Sequence, residues 1–241
     1  MPTARRLAAR ALYEGMTIGS RFPGPTLAVA RWRGHGEPMD RSTDIVIEGY
    51  PRLGNRFAAA ALASAQRRPV RVAHNLHAPG HVIAAVRAGV PALVLTRHPD
   101  DAVVGFALIK PDLTVGQALR GYVRFYEPLL PYRGRFVVAR SEDVASDFGK
   151  VIRVVNERFG TTFVEFEHTE ERAREALDEA DRRWERRTGR GLPLVGRSPA
   201  VGAGENGARR SELRRAYGAA ALTRLRARAR RVFDRLGSDV A

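Results

Sequence analysis

The residues Tyr50-Pro51-Arg52-Leu53-Gly54-Asn55-Arg56-Phe57 carry the densest chemistry in this sequence. They follow the apolar run Ile45-Val46-Ile47-Glu48-Gly49 and precede the alanine-rich stretch Ala58–Ala65. Strand, glycine-containing loop and helix N-terminus, in that order, aim several backbone N–H groups and a helix dipole at an anion. Arg52 and Arg56 add side-chain charge at the same point, so a phosphate-like group is the expected occupant. An ordinary βα turn with solvated arginines is the other reading of the loop. It lacks the G-x-x-x-x-G-K-[ST] pattern, which counts against an ATPase or GTPase.

Two further places have chemical potential. Arg97 ends the apolar run Ala92–Thr96 and precedes Pro99-Asp100-Asp101. Its planar fork suits a second phosphate, and a salt bridge to Asp100 or Asp101 is the alternative. His74 and His77 stand in His74-Asn75-Leu76-His77-Ala78-Pro79. A histidine titrates near neutrality and can act as a general base; packing or hydrogen bonding in the loop is the alternative. No third ligand is apparent beside the pair and the chain has no cysteine, so no metal is expected. Gly202-Ala203-Gly204-Glu205-Asn206-Gly207 satisfies G-x-G-x-x-G in letters. It follows no strand, however, so the dinucleotide-site context is absent. A loop closing over a ligand, with Arg209 and Arg210 at hand, is the better expectation.

The elements that must position these residues read as a βα alternation. Strands are expected at Asp44–Glu48, Val70–His74, Ala92–Thr96 and Arg135–Arg140, with helices at Arg56–Gln66, Gly80–Ala88 and Asp100–Leu108. Such short apolar strands between helices predict a three-layer α/β sandwich with a central parallel sheet. Ligands of these sheets bind at the carboxyl ends of the strands, where the three sites would meet. Val115, Ala118, Leu119, Tyr122, Tyr126 and Leu129 form one helical face. Ser141 is expected to cap one helix whose stripe is Phe148, Val151, Ile152, Val155 and Phe159. Ala4–Leu12 reads as a short amphipathic helix, followed by a Gly/Pro-broken stretch to about Met39. The C-terminal third predicts a charged helix over 166–188, a Gly/Pro-rich loop over 189–208 and a basic amphipathic helix over 209–237. The whole chain, 1–241, reads as a single domain with its core at about 43–165.

Taken together, the ordered motifs resemble the sulfotransferases that use 3′-phosphoadenosine-5′-phosphosulfate (PAPS), and are nearest to bacterial sulfotransferase-like proteins. Tyr50-Pro51-Arg52-Leu53-Gly54-Asn55-Arg56 is similar to that family's Y-P-K-S-G-T-T loop, and His77-Ala78-Pro79 to its H-x-P. Arg97-His98-Pro99-Asp100, with Gly105 at the family's serine, is similar to its 3′-phosphate motif. Arg140-Ser141-Glu142-Asp143 is similar to its R-Y-E-D. The resemblance spans roughly Asp44–Phe163 and implies a P-loop NTPase-like topology. It also implies in-line transfer of a sulfuryl group to a hydroxyl of a carbohydrate or small metabolite. On that reading Leu53–Phe57 cradle the 5′-phosphosulfate, Arg52 replaces the family's lysine, Arg97 binds the 3′-phosphate and His77 is the base, with His74 the runner-up. Leu53, Asn55, Arg56 and Gly105 replace hydroxyl residues, so a weak or inactive member that binds a phosphorylated or sulfated ligand is the alternative.

Composition bounds the partners. With 241 residues, 44% of them hydrophobic, the chain can bury a sizeable core, and no apolar run approaches the roughly 20 residues that span a bilayer. No signal peptide is evident, and the absence of cysteine fits a cytoplasmic protein. The formal charge is +15, carried almost entirely by arginine. Peripheral contact between the basic C-terminal helix and an anionic membrane is one expectation from that charge. No nucleic-acid module is recognisable, so nucleic acid is not expected as a partner.

Overall fold

The computed structural model describes residues 3–34, 36–189 and 205–240. Its centre is one parallel sheet of β1 (Ile45–Gly49), β2 (Val72–His74), β3 (Ala92–Thr96) and β4 (Val137–Arg140), in the order β2-β1-β3-β4. In the register, Val46 lies between Ala73 on β2 and Ala92 on β3. β1 and β3 are buried at every position, which is why they read as unbroken apolar runs rather than alternating ones.

Right-handed crossovers decide the layers. The steps from β1 to β2 and from β2 to β3 run in opposite directions across the sheet. α3 (Asn55–Ala65) and α4 (Pro79–Ala88) therefore cover opposite faces. α8 (Phe148–Phe159) joins α3, with α9 (Glu170–Thr188) packed outside them. α6 (Val115–Tyr126) joins α4 and carries α1 (Ala4–Gly19), α5 (Pro99–Ile109) and α11 (Thr223–Leu236) on its outer side. This is the expected three-layer α/β fold with added C-terminal helices.

Helix α6 does more than cover the sheet. Its expected face is buried as a unit: Val115, Ala118, Leu119, Tyr122 and Tyr126, continued by Leu129. Tyr126 donates to the Leu95 carbonyl at 2.7 Å and accepts from the Tyr50 N–H at 3.2 Å. The Tyr122 hydroxyl donates to the Arg97 carbonyl at 2.9 Å. The carboxyl ends of β1 and β3 are thus tied to one helix.

Four expectations about the elements need correction. α1 runs on to Gly19, and the stretch read as broken holds α2 (Pro23–Arg33). Pro23 sits in the first turn, where no N–H is needed, and Gly34 closes the helix in the left-handed region at φ 59°. Ser141 opens α7 (Ser141–Ser146) rather than capping it; the Asp143 carboxylate accepts from the Arg140 N–H at 3.0 Å instead. α7 and α8 are separate helices because Asp147 starts a new cap, accepting from the Lys150 N–H at 3.1 Å. The basic C-terminal helix is also two, α10 (Glu205–Gly218) and α11, joined through a 3-10 turn at Ala220–Leu222. Of the expected 189–208 loop, residues 190–204 lie outside the described residues, as do Gly202, Ala203 and Gly204 of the glycine motif; Glu205 to Gly207 open α10.

Both lateral strands of the sheet have company. Glu37 and His74 exchange N–H to carbonyl bonds, each 2.9 Å, on the outer side of β2. Beyond β4, the Asp239 N–H donates to the Val138 carbonyl at 2.8 Å, and its carboxylate accepts from the Val138 N–H at 2.7 Å.

Candidate functional site

The β1–α3 loop is anchored by side chains expected to touch a ligand. Tyr50 is 1% exposed; its hydroxyl donates to the Ala118 carbonyl at 2.9 Å and its ring meets Phe106 and Tyr122 edge-on. Leu53 is buried in the same core, and the Phe57 ring packs against Phe148 and Phe166. These three residues can offer a ligand main-chain groups only. Pro51 fixes the turn between Tyr50 and Arg52.

Main-chain groups are what the loop provides. α3 starts behind Gly54, which is left-handed at φ 94° and supplies no side-chain cap. Helices α6, α8 and α9, by contrast, are capped by Thr114, Asp147 and Thr169. The N–H groups of Asn55, Arg56 and Phe57 occupy the first turn, where intrahelical acceptors do not exist. No acidic side chain stands in that turn to compete for them.

Arg52, beside this turn, feels the charges of two further arginines. Arg52, in the left-handed region at φ 71°, is half-buried. Its pKa is pushed below the ordinary arginine value by desolvation first, then by the charges of Arg210 and Arg97. Arg210 comes from α10, so a helix distant in sequence contributes. Arg97 Nε lies 3.1 Å from Glu142 Oε1, without hydrogen-bond alignment. The alternative partners of Arg97 are otherwise engaged. Asp100 accepts from the Tyr217 hydroxyl at 2.7 Å and from Arg230 at 2.8 Å, and Asp101 accepts from Arg214 at 2.9 Å. Gathering like charges costs free energy unless an anion joins them.

Arg56 departs from expectation. Its guanidinium lies over the Trp184 ring at 5.3 Å and lines a cavity of about 310 Å³ between α3, β2 and α9. His74 borders that cavity too. The first-turn side chains of a helix fan out by about 100° per residue, which lets the backbone of Arg56 belong to the loop while its charge does not.

His77 is held at both its ring and its backbone. Its Nδ1 lies 2.9 Å from the Gly49 carbonyl, an acceptor only, so the neutral ring carries its proton on Nδ1 and Nε2 is left as the acceptor. Its backbone N–H donates to Glu48 Oε2 at 3.0 Å. Asn55 also donates to the Gly49 carbonyl, at 3.3 Å, and its Oδ1 is buried without a hydrogen-bond partner. Gly105 sits mid-helix in α5, and a Cβ there would meet nothing within 4 Å.

Glu48 and His81 escaped the sequence reading. Glu48 is fully buried at the end of β1 and accepts from the Leu76 N–H at 2.7 Å, the His77 N–H and His81 Nδ1 at 2.9 Å. Burial raises its pKa, but the His81 hydrogen bond, electrostatic attraction to the His81 and His77 rings and the Leu76 bond outweigh it and hold the carboxyl below its usual range. His81 Nε2 accepts from the Met39 N–H at 3.1 Å, so the ring proton sits on Nδ1. The available signal was a glutamate closing an apolar run and a histidine inside the apolar helix α4. Among the described residues, the non-glycine positions with positive φ are Arg52, Asn75 and His77. All three follow β1 or β2, and such backbone strain concentrates at functional sites.

No family model matches the chain, and no curated protein matches it. Among solved structures it is similar to mouse sulfotransferase SULT7A1 complexed with PAP. That likeness covers 88% of each chain at 12% identity, with a TM-score of 0.44. It assigns no role to any residue. Among the described residues, no group of three or more His, Asp or Glu could hold a metal ion, and no helix is long and apolar enough to cross a membrane.

Proposed function

We propose that this protein is a PAPS-dependent sulfotransferase acting on a hydroxyl of a carbohydrate or small metabolite. The observation that carries the reading is that half-buried Arg52, two residues before the uncapped start of α3, feels the like charges of Arg97 and Arg210. Two separated phosphates, one at the first turn of α3 and one at Arg97, would neutralise this cluster. The amides of Asn55, Arg56 and Phe57 hold the 5′-phosphosulfate, and Arg52 balances the charge that grows on the departing phosphate oxygen. His77 Nε2 takes the acceptor proton as the acceptor oxygen bonds to sulfur and the sulfur bond to the 5′-phosphate breaks. Little covalent help is needed, by analogy with phosphoryl transfer. The Asp100 and Asp101 bonds to α10 and α11 support treating the whole chain as one domain. Calorimetry with adenosine 3′,5′-bisphosphate tests the reading. Binding should weaken at least tenfold in Arg97→Ala, whereas adenosine 5′-monophosphate should bind both forms alike. Absence of bisphosphate binding at millimolar ligand defeats it.

A second reading, a non-catalytic binder of a phosphorylated or sulfated ligand, draws on Leu53 and Asn55 standing where hydroxyl donors would be, and on Glu142 beside Arg97. His77→Ala separates the two. Lost transfer with unchanged bisphosphate affinity supports the enzyme; no transfer by the parent chain with any acceptor offered supports the binder. His74→Ala, altering the wall of the 310 Å³ cavity, should leave transfer intact.

A further inference from the structure

Helix α1 is mounted with its polar side inward. Arg10 Nε donates to the Asp112 carbonyl at 2.8 Å, and Glu14 pairs with Arg120 at 2.7 Å and with Arg124. Tyr13 packs on the same side, against Gly121 and Phe106. At about 100° per residue Leu12 and Met16 lie on the opposite side, with Arg5 between them; Ala8, Ala11 and Gly15 continue the face to Ile18, and Leu7 stands at its margin beside Glu14. All four large side chains are at least half exposed. α2 repeats the arrangement: Ala30 and Leu27 turn inward, while Val29 and Trp32 turn out, Trp32 being 82% exposed. With Phe22 at the junction, these two helices bear seven of the nine large apolar side chains that the described residues expose.

The rim of this face has one sign. Of the six arginines in residues 3–34, Arg10 and Arg31 bond to the Asp112 and Met39 carbonyls and Arg6 pairs with Asp112 at 3.4 Å, while Arg5, Arg21 and Arg33 have no ion pair among the described residues; the single acid, Glu14, is engaged by Arg120 and Arg124. Arg21 lies over the Phe22 ring at 4.7 Å and Arg33 over the Trp32 ring at 6.0 Å. A second copy docked by a two-fold axis would set arginine against arginine, with Glu14 and Asp112 already engaged by arginines of their own chain. An anionic lipid surface answers both properties, since it takes apolar side chains and aromatic rings at the headgroup level and phosphates beside the arginines.

We propose that the outer face of α1 and α2 is a peripheral membrane-binding surface for anionic lipid. It is distinct from the basic C-terminal helices, where Arg214, Arg228 and Arg230 are committed to Asp101, Glu127 and Asp100. The full chain should float with phosphatidylglycerol-containing vesicles and stay behind with pure phosphatidylcholine. In a Trp184→Phe background Trp32 alone reports, and its emission should shift to the blue on binding. Leu12→Glu with Trp32→Glu, both at exposed positions, should abolish flotation while the circular dichroism stays unchanged. Arg21→Ala with Arg33→Ala should weaken partitioning roughly 30-fold. Arg224→Ala with Arg231→Ala should weaken it far less. Flotation indifferent to the two glutamates overturns the proposal. So does a dimer in sedimentation velocity that the glutamate variant dissociates, because a second copy then covers the face.

Discussion

Glu48 shows how one residue can set the shape of a site it does not enter. Its carboxylate gathers the N–H groups of Leu76 and His77 and the His81 ring, and so holds the strained Asn75–His77 turn under the Gly49 carbonyl. Replacing it by glutamine turns one acceptor into a donor facing backbone N–H groups, at a cost of about 3 kcal/mol at neutral pH. The sign with pH follows from the lowered carboxyl pKa. A depressed carboxylate stabilises the fold above its unfolded pKa of about 4.3, and that stability is lost as pH falls through the lower folded value. Denaturant melts should therefore show a gap between parent and Glu48→Gln that is full at pH 7 and narrows below about pH 4. Gly105 offers the opposite experiment. A side chain there meets open space, so Gly105→Ser should fold normally. If the proposed donor binds, the new hydroxyl should tighten adenosine 3′,5′-bisphosphate by roughly 10- to 150-fold, the worth of one charge-assisted hydrogen bond. Unchanged calorimetric affinity would remove Gly105 from the site.

Between elements, small residues decide how closely helices approach. Gly121 on α6 faces Tyr13 of α1 so tightly that a Cβ would collide with its hydroxyl and ring. The Tyr13 hydroxyl is correspondingly buried, its pKa pushed up to about 12 by desolvation. Gly121→Ala should displace Tyr13, cost about 1–3 kcal/mol in a chemical melt and speed amide exchange throughout α1. Element boundaries were legible in the sequence where burial is symmetrical. β1 and β3, covered on both faces, announce themselves as Ile45–Ile47 and Ala92–Leu95. α2 was hidden because Pro23, Gly24 and Pro25 look like breakers when their place in a first turn is unknown. The α7–α8 break was hidden because Asp147 reads as one more helix-surface acid until its carboxylate is seen capping Lys150. Side-chain direction was the other loss. The loop was found from its residues, yet Tyr50 points into the core and Arg56 toward Trp184, and neither direction is written in local sequence. The Glu48–His81 pair joins residues 33 positions apart, beyond any spacing rule.

For the molecule as a whole, chain ends and late helices are structural partners of the core. Asp100 and Asp101, at the head of α5, bind Tyr217, Arg230 and Arg214 and so draw α10 and α11 over the strand ends. The charge of Arg210, on α10, acts on Arg52 by that route. The sequence could place basic charge in this segment but not say which arginines were already committed. The two lateral strands carry a different consequence. An open strand margin is a template on which a second molecule can build, and a parallel sheet this short has two of them. Glu37 blocks one with a single bridge to His74, and Asp239 blocks the other through both its backbone and its carboxylate on Val138. Asp239 thus covers the outer margin of β4. A chain ending at Ser238 should retain its melting cooperativity yet scatter light on standing, whereas Asp239→Asn, which keeps the backbone bond, should scatter less. With its N–H and its carboxylate, Asp239 closes the margin of β4 on which a second sheet could otherwise begin.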